Sequence, residues 1–293
     1  MSAVPQTVAI ESNPRRRSYA GGALAFARRE FRDAMSSRWF LLYTMAFSAL
    51  AVAVSFMSLS GAGSQGFAGF GRTTAGLLNL IMLIVPLMAL IAGAGTIAGE
   101  RERGTLLYLL AQPVSRTQVI LGKYLGLALA LVCSLCIGFG VSAGALAWRA
   151  GGVGLGSYAT LVGMTCALAL AMLAVGTLVS AMSRRTGVAT GVALFVWLAL
   201  VFLSDLGLMA GSILFKLRVQ EVFGLGALNP LQAFKMSVIV SMNASLDVLG
   251  PAGVYASQAF GEGLPWLLGS VIGAWTIVPL AVAVGAFARR GSV

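Results

Sequence analysis

The sequence predicts an all-α polytopic membrane protein with six transmembrane helices. Three observations carry that expectation. Hydrophobic residues make up 58% of the 293 residues, charged residues only 10%, and the mean hydropathy is +0.91. Soluble domains carry about 25% charged residues, so this chain has too few charges to cover a soluble surface. A soluble enzyme, a disordered chain and a nucleic-acid-binding domain are thereby excluded, although a net charge of +11 alone would suit nucleic acid. Next, six apolar stretches, roughly 39–59, 76–98, 120–148, 159–182, 187–214 and 265–287, reach the length of about 20 residues that a spanning helix needs. Last, charge is asymmetric. With the N-terminus inside, only Arg72, Arg149, Lys216, Arg218 and Lys235 of the 20 Lys and Arg residues fall outside. The positive-inside rule then sets both termini in the cytosol. Trp39, Trp148 and Trp266 stand at span ends, where interfacial aromatics belong.

Taken in order, residues 1–21 form a disordered basic N-terminus. The short apolar run after Arg15, Arg16 and Arg17 ends at Arg28-Arg29-Glu30, which is too short for a signal peptide. Residues 22–38 form an amphipathic helix. Leu24, Phe26, Ala27, Phe31, Ala34 and Met35 can share one face, with Arg28, Arg29, Arg32 and Asp33 turned away. Such a helix suits the inner headgroup layer of a membrane. The six-span region covers 39–287, and 288–293 is a cytosolic tail. Between spans five and six lies an outer segment, about 215–264, in which Asn229-Pro230 has the form of an N-cap with proline at the first helical position. The stretch after it, 231–249, carries Lys235, Asn243 and Asp247, which favours an outer-surface helix over a seventh span.

The most informative stretch, about 100–113, joins spans two and three. It opens with Glu100-Arg101-Glu102-Arg103-Gly104, then Thr105 stands where it can cap a short helix that Pro113 ends. Leu106, Leu109 and Leu110 are spaced i, i+3, i+4 and form one apolar ridge. A ridge on a short cytosolic helix needs a groove in a partner protein or a bilayer surface, and both readings stand.

Other residues narrow the chemistry. With no His in the chain, a His-based proton relay, a His-liganded metal or a Ser-His-Asp triad is excluded. No catalytic residue is assigned. Cys133 and Cys136 are three apart with Cys166 in the next span; soft sulfur suits cuprous ion, but thiols in apolar stretches serve as small hydrophobes, and no metal site is assigned. Gly122-Lys123 is followed by Tyr124 and lacks the glycine-rich turn of a P-loop. Lys123 is expected to snorkel to the inner headgroups. Asp205 is the one acid inside a span, roughly 27 Å from the inner end of span five. It serves either as a gate or substrate contact at a dimer seam or as a helix-to-helix bond to Asn79 or Arg72. Glycines four apart (95 and 99, 122 and 126, 140 and 144, 187 and 191, 207 and 211, 269 and 273) permit close helix approach in lipid. Pro86 and Pro279 are expected to kink spans two and six.

The runs Gly-Glu-Arg-Glu-Arg-Gly-Thr-Leu at 99–106, Leu-Leu-Ala-Gln-Pro-Val-Ser-Arg at 109–116 and Gly122-Lys123-Tyr124, with the lead-in Ala27-Arg28-Arg29-Glu30-Phe31-Arg32-Asp33, resemble permease subunits of type-2 ABC transporters. The resemblance extends over nearly the whole chain. It implies that 22–38 is a connecting helix and that 100–113 is a coupling helix docked in an ATPase subunit, with Glu100, Arg101, Arg103, Gly104, Thr105, Leu106, Leu109, Leu110 and Pro113 as its working residues. It implies a homodimer in a bacterial inner membrane, with ATP and Mg held by the partner ATPase and no cofactor in this chain. Arg28, Arg29, Glu30, Phe31 and Arg32 then face membrane lipids. Gly104-Thr105-Leu106, Gly122-Lys123, the stretch from Trp197 to Asp205 and Leu228-Asn229-Pro230 also resemble the NosY-type permeases. That narrower resemblance implies a periplasmic accessory protein and a role in sulfur or copper supply to a copper enzyme. Mechanical signalling to a periplasmic partner, general efflux and a stand-alone carrier are the competing classes. The single intramembrane acid counts against the carrier.

Overall fold

The computed structural model describes residues 19–60, 66–106, 115–150, 155–214, 218–241 and 251–289. Among the described residues the chain is helical, without strands. The helices are α1 (Tyr19–Ser36), α2 (Arg38–Ser60), α3 (Gly66–Glu102), α4 (Arg116–Ala150), α5 (Leu155–Met182), α6 (Thr186–Leu214), α7 (Val219–Leu228), α8 (Pro230–Ser241), α9 (Pro251–Phe260) and, after a 3₁₀ turn at Gly261–Gly263, α10 (Leu264–Arg289).

Four helical stretches are long and apolar enough to cross a bilayer among the described residues: Leu77–Glu102, Arg116–Gly144, Tyr158–Met182 and Gly253–Arg289. Arg38–Ala53 and Thr186–Phe202 are shorter apolar stretches of α2 and α6. Each of the six apolar stretches read from the sequence therefore falls on a helix. The largest difference is at α3, which starts ten residues earlier than expected, at Gly66. The amphipathic helix spans Tyr19–Ser36 rather than 22–38, and most of the N-terminus lies outside the described residues, as does 290–293.

Packing follows small residues. Apolar side chains gain little from leaving lipid, so helix association depends on close contact and on polar bonds. At Gly93 a Cβ would come within 2.7 Å of the Leu173 carbonyl oxygen and 2.8 Å of the Thr177 nitrogen. The facing Gly176 would drive a Cβ into the Leu90 carbonyl oxygen. Backbone thus meets backbone where α3 crosses α5. Gly126 brings α4 onto α1 in the same way, 2.5 Å from the Ala27 carbonyl oxygen and 2.7 Å from Glu30 Cβ. Of the glycines paired by four-residue spacing, Gly126 meets a backbone, whereas Gly95, Gly140, Gly144, Gly187, Gly191, Gly269 and Gly273 meet nothing within 4 Å. Spacing identifies a smooth helix face, not what faces it. Edge contacts of Phe139 with Phe47 and Tyr158, at 5.3 and 6.0 Å, join α2, α4 and α5.

One expectation needs correction. The helix after Asn229-Pro230 exists, and Asn229 Oδ1 accepts the Leu231 N–H at 2.9 Å as an N-cap should. It is not a surface helix, however. α8 buries Leu231, Gln232, Ala233, Phe234, Met236, Ser237 and Val238 between α5 and α10. Asn229 Nδ2 donates to the Leu200 carbonyl and Trp275 Nε1 to the Leu228 carbonyl, which ties this segment to α6 and α10. Helix continues through Pro86 in α3 and through Pro279 in α10.

Candidate functional site

The charged residues singled out in the sequence gather where α3 ends. α1 lies along α4, placing Glu30 over the start of α4. Ser115 and Gln118 form a reciprocal capping box there, with Ser115 N–H donating to Gln118 Oε1 at 2.9 Å and Gln118 N–H to Ser115 Oγ at 3.2 Å. Two turns later comes Lys123. It does not snorkel. Its side chain is 3% exposed, and Nζ lies 2.9 Å from Glu30 Oε2 and 2.8 Å from Glu100 Oε1. One ammonium thus joins α1, α3 and α4. A buried charge is tolerated only with such partners, and the two carboxylates come from helices that the sequence gives no reason to pair. Glu100 Oε2 is buried with no hydrogen-bond partner.

The last turns of α3 are braced from the other side by α5 and the turn into α6. Ser180 Oγ accepts the N–H groups of Ile97 and Ala98, both at 2.9 Å. Arg101 Nη1 donates to the Ser183 carbonyl at 2.5 Å, and Glu102 Oε2 accepts the Thr186 N–H at 2.9 Å. Gly104 then turns the chain at φ 72°, a conformation open to glycine at no steric cost. The Thr105 hydroxyl donates back to the Glu100 carbonyl at 3.3 Å. It therefore closes α3, whereas the sequence reading had it cap the following helix. Helical backbone resumes at Thr105 and Leu106.

Leu106 was expected to contribute to a ridge seeking an outside groove. It is 5% exposed and packs with Ile97, Ile120, Ala181, Ala283 and Phe287 of this same chain. Leu109, Leu110 and Pro113 lie outside the described residues. Glu102, Arg103, Gly104 and Thr105 are exposed, with Glu100 and Arg101 half-buried. Along α1, Arg28, Arg29 and Arg32 are exposed, Phe31 is half-buried against the core, and Leu24 is 71% exposed despite its place on the apolar face. Asn79 is exposed on α3; Asp205 is in α6, but its side chain, like that of Arg72, lies outside the described residues. Among the described residues no three His, Cys, Asp or Glu side chains come together as a metal site. The Glu30–Lys123–Glu100 bridge and the Ser183 and Thr186 braces were missed in the sequence because their partners are far apart along the chain. Only the capping box had a local signal, Ser-x-x-Gln.

Long apolar helices with one braced, charged end are the architecture of a multi-pass membrane protein. The chain belongs to the ABC-2 family of transporter proteins: the family described as ABC-2 family transporter protein matches residues 24–292. It is similar to the probable ABC transporter permease protein NosY of Stutzerimonas stutzeri, at 32% identity over 270 residues, which cover 90% of this chain and 97% of that protein. The probable ABC transporter permease protein NosY of Pseudomonas aeruginosa is 31% identical over the same shares. The chain is thus a NosY-like permease of an ABC transporter.

Proposed function

We propose that this chain couples ATP hydrolysis by a separate ATPase subunit to export or to work on the periplasmic side of a bacterial inner membrane. In this reading it spans the membrane six times with both termini in the cytosol, dimerises, and holds no nucleotide itself. The observation that carries the reading is the bracing of α3's end. Glu100, Arg101 and Glu102 tie the segment after α3 to α1, α4 and the α5–α6 turn. A push on residues 100–113 is then passed to five helices together. The exposed Arg103, Gly104 and Thr105, followed by Leu109, Leu110 and Pro113, are the docking candidates, while Leu106 anchors the segment to its own chain.

The NosY-like character favours sulfur or copper supply to a periplasmic copper enzyme, with a periplasmic accessory protein, over general efflux. A second reading, mechanical signalling without passage of a solute, is favoured by α8. Its burial between α5 and α10, with α7 packed on it, gives the spans a connection to α7.

The test is Leu109→Asp combined with Leu110→Asp. Leu106 is left alone because its replacement would disturb this chain's own packing. The expected result is loss of ATPase co-purification with the chain's melting temperature kept. Undiminished co-purification together with undiminished stimulation of ATP hydrolysis would overturn the coupling assignment.

A further inference from the structure

α1 carries its charges on two flanks, and the flanks differ. Toward α3 and α4 the charges are matched: Glu30 reaches Lys123, and Arg29 lies 3.7 Å from Asp33. Both acids of α1 are therefore engaged on that side. On the other flank Arg28 and Arg32 are exposed, and among the described residues neither has an ion-pair partner. They are four residues apart, hence neighbours on the helix surface. Like charges at that spacing destabilise a helix, and an anion bound between them relieves the repulsion.

Apolar surface adjoins the pair. Leu24, Arg28, Phe31 and Met35 are spaced i, i+4, i+7, i+11 and share one stripe of α1, with Arg32 beside it. Phe31 and Met35 are half-buried against the core, whereas Leu24, one turn before Arg28, is exposed. A leucine left exposed beside unpaired arginines suits the boundary between headgroups and acyl chains. Trp39 is exposed at the start of α2 and is followed by the exposed Leu41, Leu42 and Met45, so the chain passes from α1 into an apolar outward face.

The depth of α1 separates this flank from the docking candidates. α1 crosses α4 at Gly126, ten residues or about 15 Å past the start of that helix. Glu30 and Glu100 meet the same ammonium, which sets α1 level with the last turn of α3. Arg103, Gly104 and Thr105 follow Glu100 and lie farther from the apolar spans. A subunit seated on residues 103–113 therefore meets the chain beyond α1, which favours lipid over protein as the occupant of the Arg28 and Arg32 flank.

We propose that Arg28 and Arg32 bind the phosphate of a phospholipid with a net negative headgroup, whose acyl chain lies over Leu24. Guanidinium groups match phosphate oxygens bidentately. A phosphate balanced by an ammonium in its own headgroup attracts them less. The site rests on α1 lying at the membrane surface and not on the coupling role, so each can fail alone.

The test uses the full-length chain in mild detergent, titrated with phosphatidylglycerol or phosphatidylcholine and read by native mass spectrometry. The first phosphatidylglycerol should bind about thirtyfold more tightly than phosphatidylcholine, at about fivefold for each arginine. Arg28→Gln with Arg32→Gln should abolish that preference and keep the melting temperature, both positions being exposed. Arg184→Gln with Arg185→Gln removes the same charge from the exposed turn before α6 and should leave the preference intact. Equal loss in the two double variants would mean that general positive charge and no site attracts the lipid. An undiminished preference in Arg28→Gln with Arg32→Gln would place the lipid elsewhere. Either result overturns the proposal. So does displacement by soluble glycerol phosphate, which would assign the pair to a free phosphate, and displacement by the ATPase subunit, which would assign it to the subunit contact.

Discussion

Lys123 is the residue on which the charged end of the bundle turns. Its Nζ holds Glu30 and Glu100 at 2.9 and 2.8 Å while only 3% of the side chain is exposed. Lys123→Met removes the cation and leaves two largely buried carboxylates facing each other. The expected cost is about 3–5 kcal/mol, the usual result of breaking a buried ion pair from one side. Lys123→Met combined with Glu30→Gln and Glu100→Gln removes all three charges and should recover most of that stability, as melting temperatures in detergent would reveal. A triple variant no more stable than Lys123→Met would mean that the bridge is not what destabilises the single variant. None of this was legible in the sequence. A lysine one turn inside an apolar run looks the same whether it reaches outward to headgroups or inward to partners. Glu30 is 93 residues away, and nothing local says that α1 folds back across α4. Asn229-Pro230 was legible because a cap is local chemistry: the side chain bonds a backbone N–H two residues on.

At the scale of elements, the glycine contacts separate two kinds of helix face. Gly176 on α5 lies against Leu90 and Gly93 of α3, backbone to backbone, and neither atom can yield as a flexible side chain could. Gly176→Val should force the helices apart and cost about 1–3 kcal/mol, as overpacking does. Gly140, on the exposed side of α4, meets nothing within 4 Å. There Gly140→Ala should leave the melting temperature of the isolated chain unchanged or raise it, with a gain in stability of up to about 1 kcal/mol from helix propensity. Similar losses in both variants would contradict this division of faces. The helices themselves were readable, since runs of apolar residues of spanning length leave few alternatives, and the described helices fall on all six stretches. What each face meets was not. Four-residue spacing flagged Gly126 but missed the Gly93–Gly176 crossing, because those two glycines lie on different helices and share no spacing. For the same reason Leu106 was read as part of an outward ridge: its periodicity defined an apolar face, and only the fold supplies Ile120, Ala181 and Phe287 to cover it.

At the scale of the whole molecule, the end of α3 is a junction. Toward α1 and α4 it is held by the Lys123 bridge, and toward α5 and α6 by Ser180, Ser183 and Thr186. If force enters through residues 100–113, these two sets of bonds divide it between the two halves of the bundle. Thr186 allows one contact of the second set, the one to α6, to be removed by itself. It is the first residue of α6, a position where proline fits because its N–H is not needed within the helix. That N–H is the donor to Glu102 Oε2. Thr186→Pro therefore deletes the brace while keeping the helix start. The melting temperature should stay close to that of the unaltered chain, because the bond lies at an exposed surface. Stimulation of the partner ATPase by the reconstituted chain should fall in part, with ATPase co-purification intact, since docking is untouched and one path of transmission is lost. Glu102→Gln, which keeps a carbonyl oxygen able to accept the Thr186 N–H, should fall between the two. Full stimulation in Thr186→Pro would mean that α6 moves without this contact, leaving the Lys123 bridge and the α5 backbone bonds as the carriers of the motion.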